Sequence, residues 1–113
     1  MISLKKLFHL IDLARQCNKC AMLHFQNLSF NQVKYKNDNS PLTQADLEVN
    51  QIAVNGIKKL FPKVRIVSEE FERSQKLFQN NNIFWLIDPI DGTKEFINKR
   101  VNFTVNFALI KNN

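Results

Sequence analysis

Trp85-Leu86-Ile87-Asp88-Pro89-Ile90-Asp91-Gly92-Thr93-Lys94-Glu95-Phe96 is the stretch on which the reading of the fold turns. Its apolar start has the character of a buried strand and ends in Asp88. Pro89 has no N–H to give to a sheet ladder, so the ladder is expected to stop there. A second carboxylate, Asp91, follows at once, and Gly92-Thr93 reads as the opening of a short helix. Two acids flanking a proline turn at a strand end are expected to converge on one point. Without a cation between them they repel, and a hard ion with oxygen ligands, Mg²⁺ before others, suits the pair. Free N–H groups at Gly92 and Thr93 would face an anion such as phosphate. Metal and phosphate together indicate phosphoryl chemistry.

Outward from this stretch, three flanking segments fit the same picture. Thr43-Gln44-Ala45-Asp46 opens a helix carried on by Leu47, Ile52, Ala53, Ile57 and Leu60 and stopped by Pro62. Thr-x-x-Asp is close to a capping box, in which both side chains satisfy first-turn N–H groups. Lys63-Val64-Arg65-Ile66-Val67 is β-branched, bounded by Pro62, and reads as a strand ending in Ser68-Glu69-Glu70. Acids at a strand end usually face solvent. Beside a second strand ending in Asp88, they bring carboxylates to one sheet edge. Phe103, Val105, Phe107 and Leu109 alternate with Asn102, Thr104, Asn106 and Ala108, a strand with one buried face.

The remaining chain reads as scaffold. Ser3 can cap a helix with apolar positions Leu4, Leu7, Phe8, Ile11, Ala14, Ala21 and Phe25, on which no polar groups are expected to converge. His9 and His24 read as surface or satisfied groups rather than catalytic ones. Cys17 and Cys20 have C-x₂-C spacing but no second pair, so they read as reduced thiols. Val33-Lys34-Tyr35-Lys36 suggests a short strand, with Lys36 a solvated cation. Asn37 to Pro41 is dense in turn formers, Asp38 among them. Phe71 to Asn82 is polar and aperiodic, an excursion between strands.

The 113 residues suffice for one small domain and one core. A net charge of +6 comes from scattered Lys and Arg with no run beyond pairs such as Lys58-Lys59, so no nucleic-acid stripe is expected. A mild positive field favours a substrate bearing two phosphates. No segment has the apolar length of a membrane span, and the N-terminus lacks a signal-peptide core, which gives a cytoplasmic expectation.

Asp88-Pro89-Ile90-Asp91-Gly92-Thr93 resembles the signature of the lithium-sensitive, magnesium-dependent phosphatases that include inositol monophosphatase. Lys94-Glu95-Phe96-Ile97 is similar to the 3'(2'),5'-bisphosphate nucleotidase branch, the CysQ type. The likeness extends through Asp38 to Asp46, Ser68-Glu69-Glu70 and Val101 to Asn106. It implies an α+β fold, with two helices packed on one side of a mostly antiparallel sheet, as in the N-terminal part of the family's layered sandwich. It implies that Glu69, Asp88 and the Ile90 carbonyl hold one Mg²⁺, with Asp88 and Asp91 holding a second about 3.5–4 Å away. It implies that Asp46 pairs with Thr93 to orient and deprotonate an attacking water, and that Glu69, Ile90, Asp91, Gly92 and Thr93 contact substrate. The implied substrate is 3'-phosphoadenosine 5'-phosphate, cleaved to AMP and phosphate in sulfur assimilation. The alternatives are an inositol monophosphatase-type sugar phosphatase and a non-catalytic remnant that binds metal or a partner. The resemblance also allows a homodimer and peripheral attachment at the cytoplasmic face of the inner membrane. The family's further metal-binding aspartate, from a Trp-Asp motif, has no counterpart here: Trp85 precedes Leu86. Residues 1–113 are therefore expected to be the N-terminal portion of such a domain, with low or no activity alone.

Overall fold

The computed structural model describes residues 2–27, 33–35, 41–68, 83–100 and 103–111. Helix α1 (Leu4–Asn27) is followed by strands β1 (Val33–Tyr35) and β2 (Pro41–Thr43), helix α2 (Gln44–Leu60), strands β3 (Arg65–Ser68) and β4 (Ile83–Asp91), helix α3 (Thr93–Ile97) and strand β5 (Thr104–Lys111). β1 and β2 form a short antiparallel pair, and β3-β4-β5 form a sheet in that order. The fold is α+β, helices on a mixed sheet. Two of the three described pairings are antiparallel, and β3 runs parallel to β4. That parallel pairing matters for the site, because it puts the C-terminal ends of both strands on one edge.

α1 starts where Ser3 caps it: the Ser3 hydroxyl accepts from the Lys6 N–H at 3.2 Å. Its buried stripe is Leu10, Leu13, Cys17 and Ala21. Of the expected stripe, Ala21 is buried and Phe25 packs against the core, whereas Leu4, Leu7, Phe8 and Ile11 face outward, with Leu4 68 % and Phe8 59 % exposed. Two apolar stripes compete on this helix, and a gap in α2 decides between them. Gly56 has no Cβ, and one built there would lie 2.4 Å from a Leu13 methyl, so only glycine leaves Leu13 its seat. Leu13 meets Gly56, Cys17 meets Val49 and Cys20 meets Glu48, so the two helices run antiparallel.

α2 sends Ala45, Val49, Ala53 and Ile57 into the core. There they join Trp85, Ile87 and Ile90 of β4 and Phe96 of α3. Each fully buried Val or Ile of this set stabilises the fold by about 1.5–3 kcal/mol. Phe96 anchors α3: its ring lies 5.6 Å from Phe25 and 5.0 Å from Phe103, both edge-on. β4 is the central strand, and Phe84 and Val67 on the other face of the sheet are also buried. Burial on both faces explains a continuous apolar run in place of an alternating one.

Two strand expectations change. β4 does not end at Pro89; it continues to Asp91, with a register shift between Asp88 and Asp91. The proline's missing donor is absorbed by the irregularity rather than by termination. On β5 the expected face holds at Val105 and Phe107 but fails at Leu109, which is 41 % exposed near the strand's end.

Candidate active site

α2 begins with a complete capping box. Asp46 Oδ2 accepts from the Thr43 N–H at 2.8 Å and the Thr43 hydroxyl at 2.6 Å, and Thr43 Oγ1 lies 3.3 Å from the Asp46 N–H. Asp46 is wholly buried. Capping occupies Oδ2 and leaves Oδ1 for another partner. That partner is Thr93, whose hydroxyl stands 3.1 Å from Asp46 Oδ1 and 3.2 Å from the Ile90 carbonyl oxygen. A hydroxyl has one proton for these two acceptors. The charged oxygen is the stronger acceptor, so the proton goes to Asp46. Thr93 Oγ1 then has lone pairs left to accept from a third molecule.

Thr93 is brought there by the turn before it. Gly92 has φ 94°, a left-handed conformation that costs a side-chain-bearing residue, and it hands β4 directly to α3. The register shift also breaks the in–out alternation of β4. Pro89 and Ile90 are both buried, and Asp91 is turned outward, with its carboxylate 3.5 Å from Asn106 Nδ2. Asp88 is half-buried, opposite Asn106 on β5. Asp88, the Ile90 carbonyl and Asp91 thus crowd into one irregular segment, next to Thr93.

The other strand of the edge is β3. Ser68 pairs with Ile87 in the parallel register, so β3 ends one position short of Asp88. The buried Ser68 hydroxyl donates to Asn50 of α2. Asn50 is itself buried, one turn after Asp46 on the same face. Sequence reading missed this pair. The signal was present: a polar residue at i+4 from Asp46 lies inside the stripe formed by Val49 and Ala53.

Of the expected site residues, Asp46 and Thr93 are joined directly, and Asp88, Ile90, Asp91 and Gly92 lie in the segment leading to Thr93. Glu69 lies outside the described residues, as do Glu70, Lys36, Asp38 and the excursion from Phe71. Lys94 and Glu95 lie on α3, Lys94 exposed. Cys17 and Cys20 are both free thiols. The expectation that α1 carries no convergent polar groups fails, because Cys20 and His24 both meet Glu48 of α2. An i, i+4 pair on one helix face was legible; its partner 24 residues away was not.

The donors along the β4 segment are all hard oxygens, two carboxylates and a carbonyl. That set fits a small divalent cation and offers nothing to a soft one. Residues 4–113 match the model described as the inositol monophosphatase family. The chain belongs to that family. Among curated relatives it is 40 % identical over 107 residues to the 3'(2'),5'-bisphosphate nucleotidase CysQ of Buchnera aphidicola, covering 95 % of this chain and 40 % of the relative. It is 39 % identical over 99 residues to the protein of that name from Escherichia coli K12, covering 88 % and 40 %. Among solved structures, the Thermotoga maritima IMPase superposes with a TM-score of 0.80 at 30 % identity, covering 96 % of this chain and 41 % of that one. CysQ from Bacteroides thetaiotaomicron superposes at 0.70 and 30 % identity, covering 93 % and 37 %. The chain spans about 40 % of the length of the curated relatives it matches. Family membership accounts for the fold, and metal-dependent phosphatase chemistry is the family's general character.

Proposed function

We propose that these residues belong to a Mg²⁺-dependent 3'(2'),5'-bisphosphate nucleotidase, which removes the 3'-phosphate of 3'-phosphoadenosine 5'-phosphate to leave AMP and phosphate. The observation that carries this reading is the Thr93–Asp46 hydrogen bond, which ties the cap of α2 to the turn bearing Asp88, Ile90 and Asp91. Relatives named as nucleotidases at 39–40 % identity support the substrate class. Residues 1–113 correspond to the N-terminal portion of the family's domain, and the enzyme works in the cytoplasm. Among the described residues no helix is long and apolar enough to cross a membrane.

Asp88, Asp91 and the Ile90 carbonyl would hold the cations, with Glu69, the residue after Ser68 in the sequence, as a further ligand. Bound there, Mg²⁺ supplies charge neutralisation at the phosphoryl oxygens and acidifies the attacking water. The chain's own part is orientation and proton handling. Asp46 draws the Thr93 proton to itself, and Thr93 Oγ1 accepts a hydrogen bond from the water, directing that water's remaining lone pairs at phosphorus. The Gly92 and Thr93 N–H groups hold the departing phosphate. Asp46 is shielded and fixed by three donors, so its geometry does not have to be reorganised during reaction.

The test is phosphate release from 3'-phosphoadenosine 5'-phosphate and from inositol monophosphate, with and without Mg²⁺. The account expects slow Mg²⁺-dependent release from these residues alone, favouring the nucleotide and lost in Asp88→Asn. Equal or greater release from the inositol ester would transfer the chain to the sugar-phosphatase reading. Release that persists without divalent cation would overturn the metal assignment.

A further inference from the structure

On the outer side of the α1–α2 seam, Cys20, His24 and Glu48 point at one another. One ligand-capable atom from each lies within 4.8 Å of the other two. His24 Nε2 is 2.5 Å from Glu48 Oε2, and the Cys20 thiol donates to that same oxygen at 3.7 Å. Three features separate this group from a chance surface contact. Its members come from two helices held in register by the Leu13–Gly56 seat. Cys20 and His24 are spaced i, i+4, so both side chains leave α1 on one face. The group is also partly screened: the side chains of His24 and Glu48 are 23 % and 46 % exposed.

We propose that Cys20, His24 and Glu48 form a second metal site, distinct in chemistry from the β4 segment, that takes Zn²⁺ and clips α1 to α2. A thiolate, an imidazole and a carboxylate are the donors of zinc sites, whereas Mg²⁺ and Ca²⁺ select oxygen alone. One edge of the triangle already has the dimension zinc needs, and a second is reached by a small rotation. Zinc bond lengths in a tetrahedron set an S···O edge of about 3.6 Å and an N···O edge of about 3.4 Å. The first matches the Cys20–Glu48 separation of 3.7 Å. The second requires His24 and Glu48 to part by roughly 0.9 Å from their present hydrogen bond, a small side-chain rotation. Entry of the ion releases the thiol proton to solvent, and His24 offers Nε2 as neutral imidazole with its ring proton on Nδ1. With three protein ligands, the fourth position of a tetrahedral ion would be left to water. Cys17 takes no part: it is fully buried, and its thiol donates to the Val49 carbonyl at 3.9 Å. The working pair on α1 is Cys20 with His24, not the C-x₂-C pair.

The experiment is a Co²⁺ titration of the reduced, metal-stripped full chain, read by the near-ultraviolet thiolate-to-cobalt band, followed by displacement with Zn²⁺. The expected result is one thiolate-ligated Co²⁺, released by Zn²⁺, with the band lost in Cys20→Ser and kept in Cys17→Ala and in Asp88→Asn. His24→Ala and Glu48→Gln should each weaken Zn²⁺ binding at least about tenfold. These positions are partly exposed, and an unchanged far-ultraviolet dichroism spectrum checks that each variant folds. Absence of the band in the parent chain would overturn the proposal. So would a band that survives Cys20→Ser, or affinity reduced by less than about tenfold in both His24→Ala and Glu48→Gln. None of these readouts depends on phosphatase activity.

Discussion

Asp46 gives one oxygen to the helix cap and the other to Thr93, and two threonine substitutions should separate the structural task of the first from the chemical task proposed for the second. Thr43→Val removes the hydroxyl that donates to Oδ2 at 2.6 Å and lies 3.3 Å from the Asp46 N–H. Valine suits the extended backbone at φ −112°, ψ 165°, and the Thr43 N–H still reaches Oδ2. The loss is that of an N-cap side chain, about 1–2 kcal/mol. For a domain near this size, that is a fall in Tm of roughly 4–12 °C. Thr93→Val removes a half-buried hydroxyl with one proton shared between two acceptors, and costs about 0.5–1.5 kcal/mol. Its melting point should move less than that of Thr43→Val. Phosphate release from 3'-phosphoadenosine 5'-phosphate at 25 °C should show the opposite order. Thr43→Val keeps most of its rate, and Thr93→Val loses about 10²-fold or more, the contribution of a positioned proton-transfer group. Calorimetric melts and a coupled phosphate assay on the same preparations give both orders. The division of labour is refuted if Thr93→Val turns over within about threefold of the parent, or if the two variants fall together in both assays.

Three further outcomes follow from the packing. Asn50→Ala removes the buried hydrogen bond from Ser68 at the end of β3, and should cost about 0.5–1.5 kcal/mol in urea unfolding while weakening Mg²⁺ binding through the adjoining strand end; unchanged Mg²⁺ affinity would confine Asn50 to stability. Gly56→Val drives a branched side chain into Leu13 and should cost about 2–3 kcal/mol, with a stable, unchanged fold contradicting the close helix approach. Burial pushes the Cys17 thiol from 9.0 up to about 12, so folding favours its protonated form. That contribution is complete below about pH 9 and erodes by about 1.4 kcal/mol per pH unit between 9 and 12, because only the unfolded chain has lost the proton. The stability gap between the parent and Cys17→Ala should therefore narrow as pH rises above 9, and a gap that stays constant would refute the buried assignment.

The parts of the site that share a local pattern were legible, and those set by packing were not. Thr43 and Asp46 announce a cap by spacing alone, and Asp88 to Thr93 announce a strand, an irregular turn and a helix start. The double use of Asp46 needed the resemblance, since a capping box gives no hint of a third partner 47 residues on. Only the first half of the α1 stripe differs, and for a physical reason. Leu4, Leu7, Phe8 and Ile11 form as good a stripe as Leu10, Leu13 and Cys17, and only the missing Cβ of Gly56 on another helix chooses between them. Pro89 was read by its usual effect on a ladder, yet a register shift lets the strand resume and turns Asp91 outward. Asn50 was hidden in plain sight, a polar residue on a buried stripe.

The account's central claim is that the end of β4 holds divalent cations between its acids. Crystals of the chain equilibrated with Mn²⁺, a Mg²⁺ stand-in with an anomalous signal, test it most directly. The prediction is an anomalous peak within about 2.0–2.4 Å of carboxylate oxygens from both Asp88 and Asp91, or of one of them with the Ile90 carbonyl. A saturated crystal with no peak at that segment would contradict it.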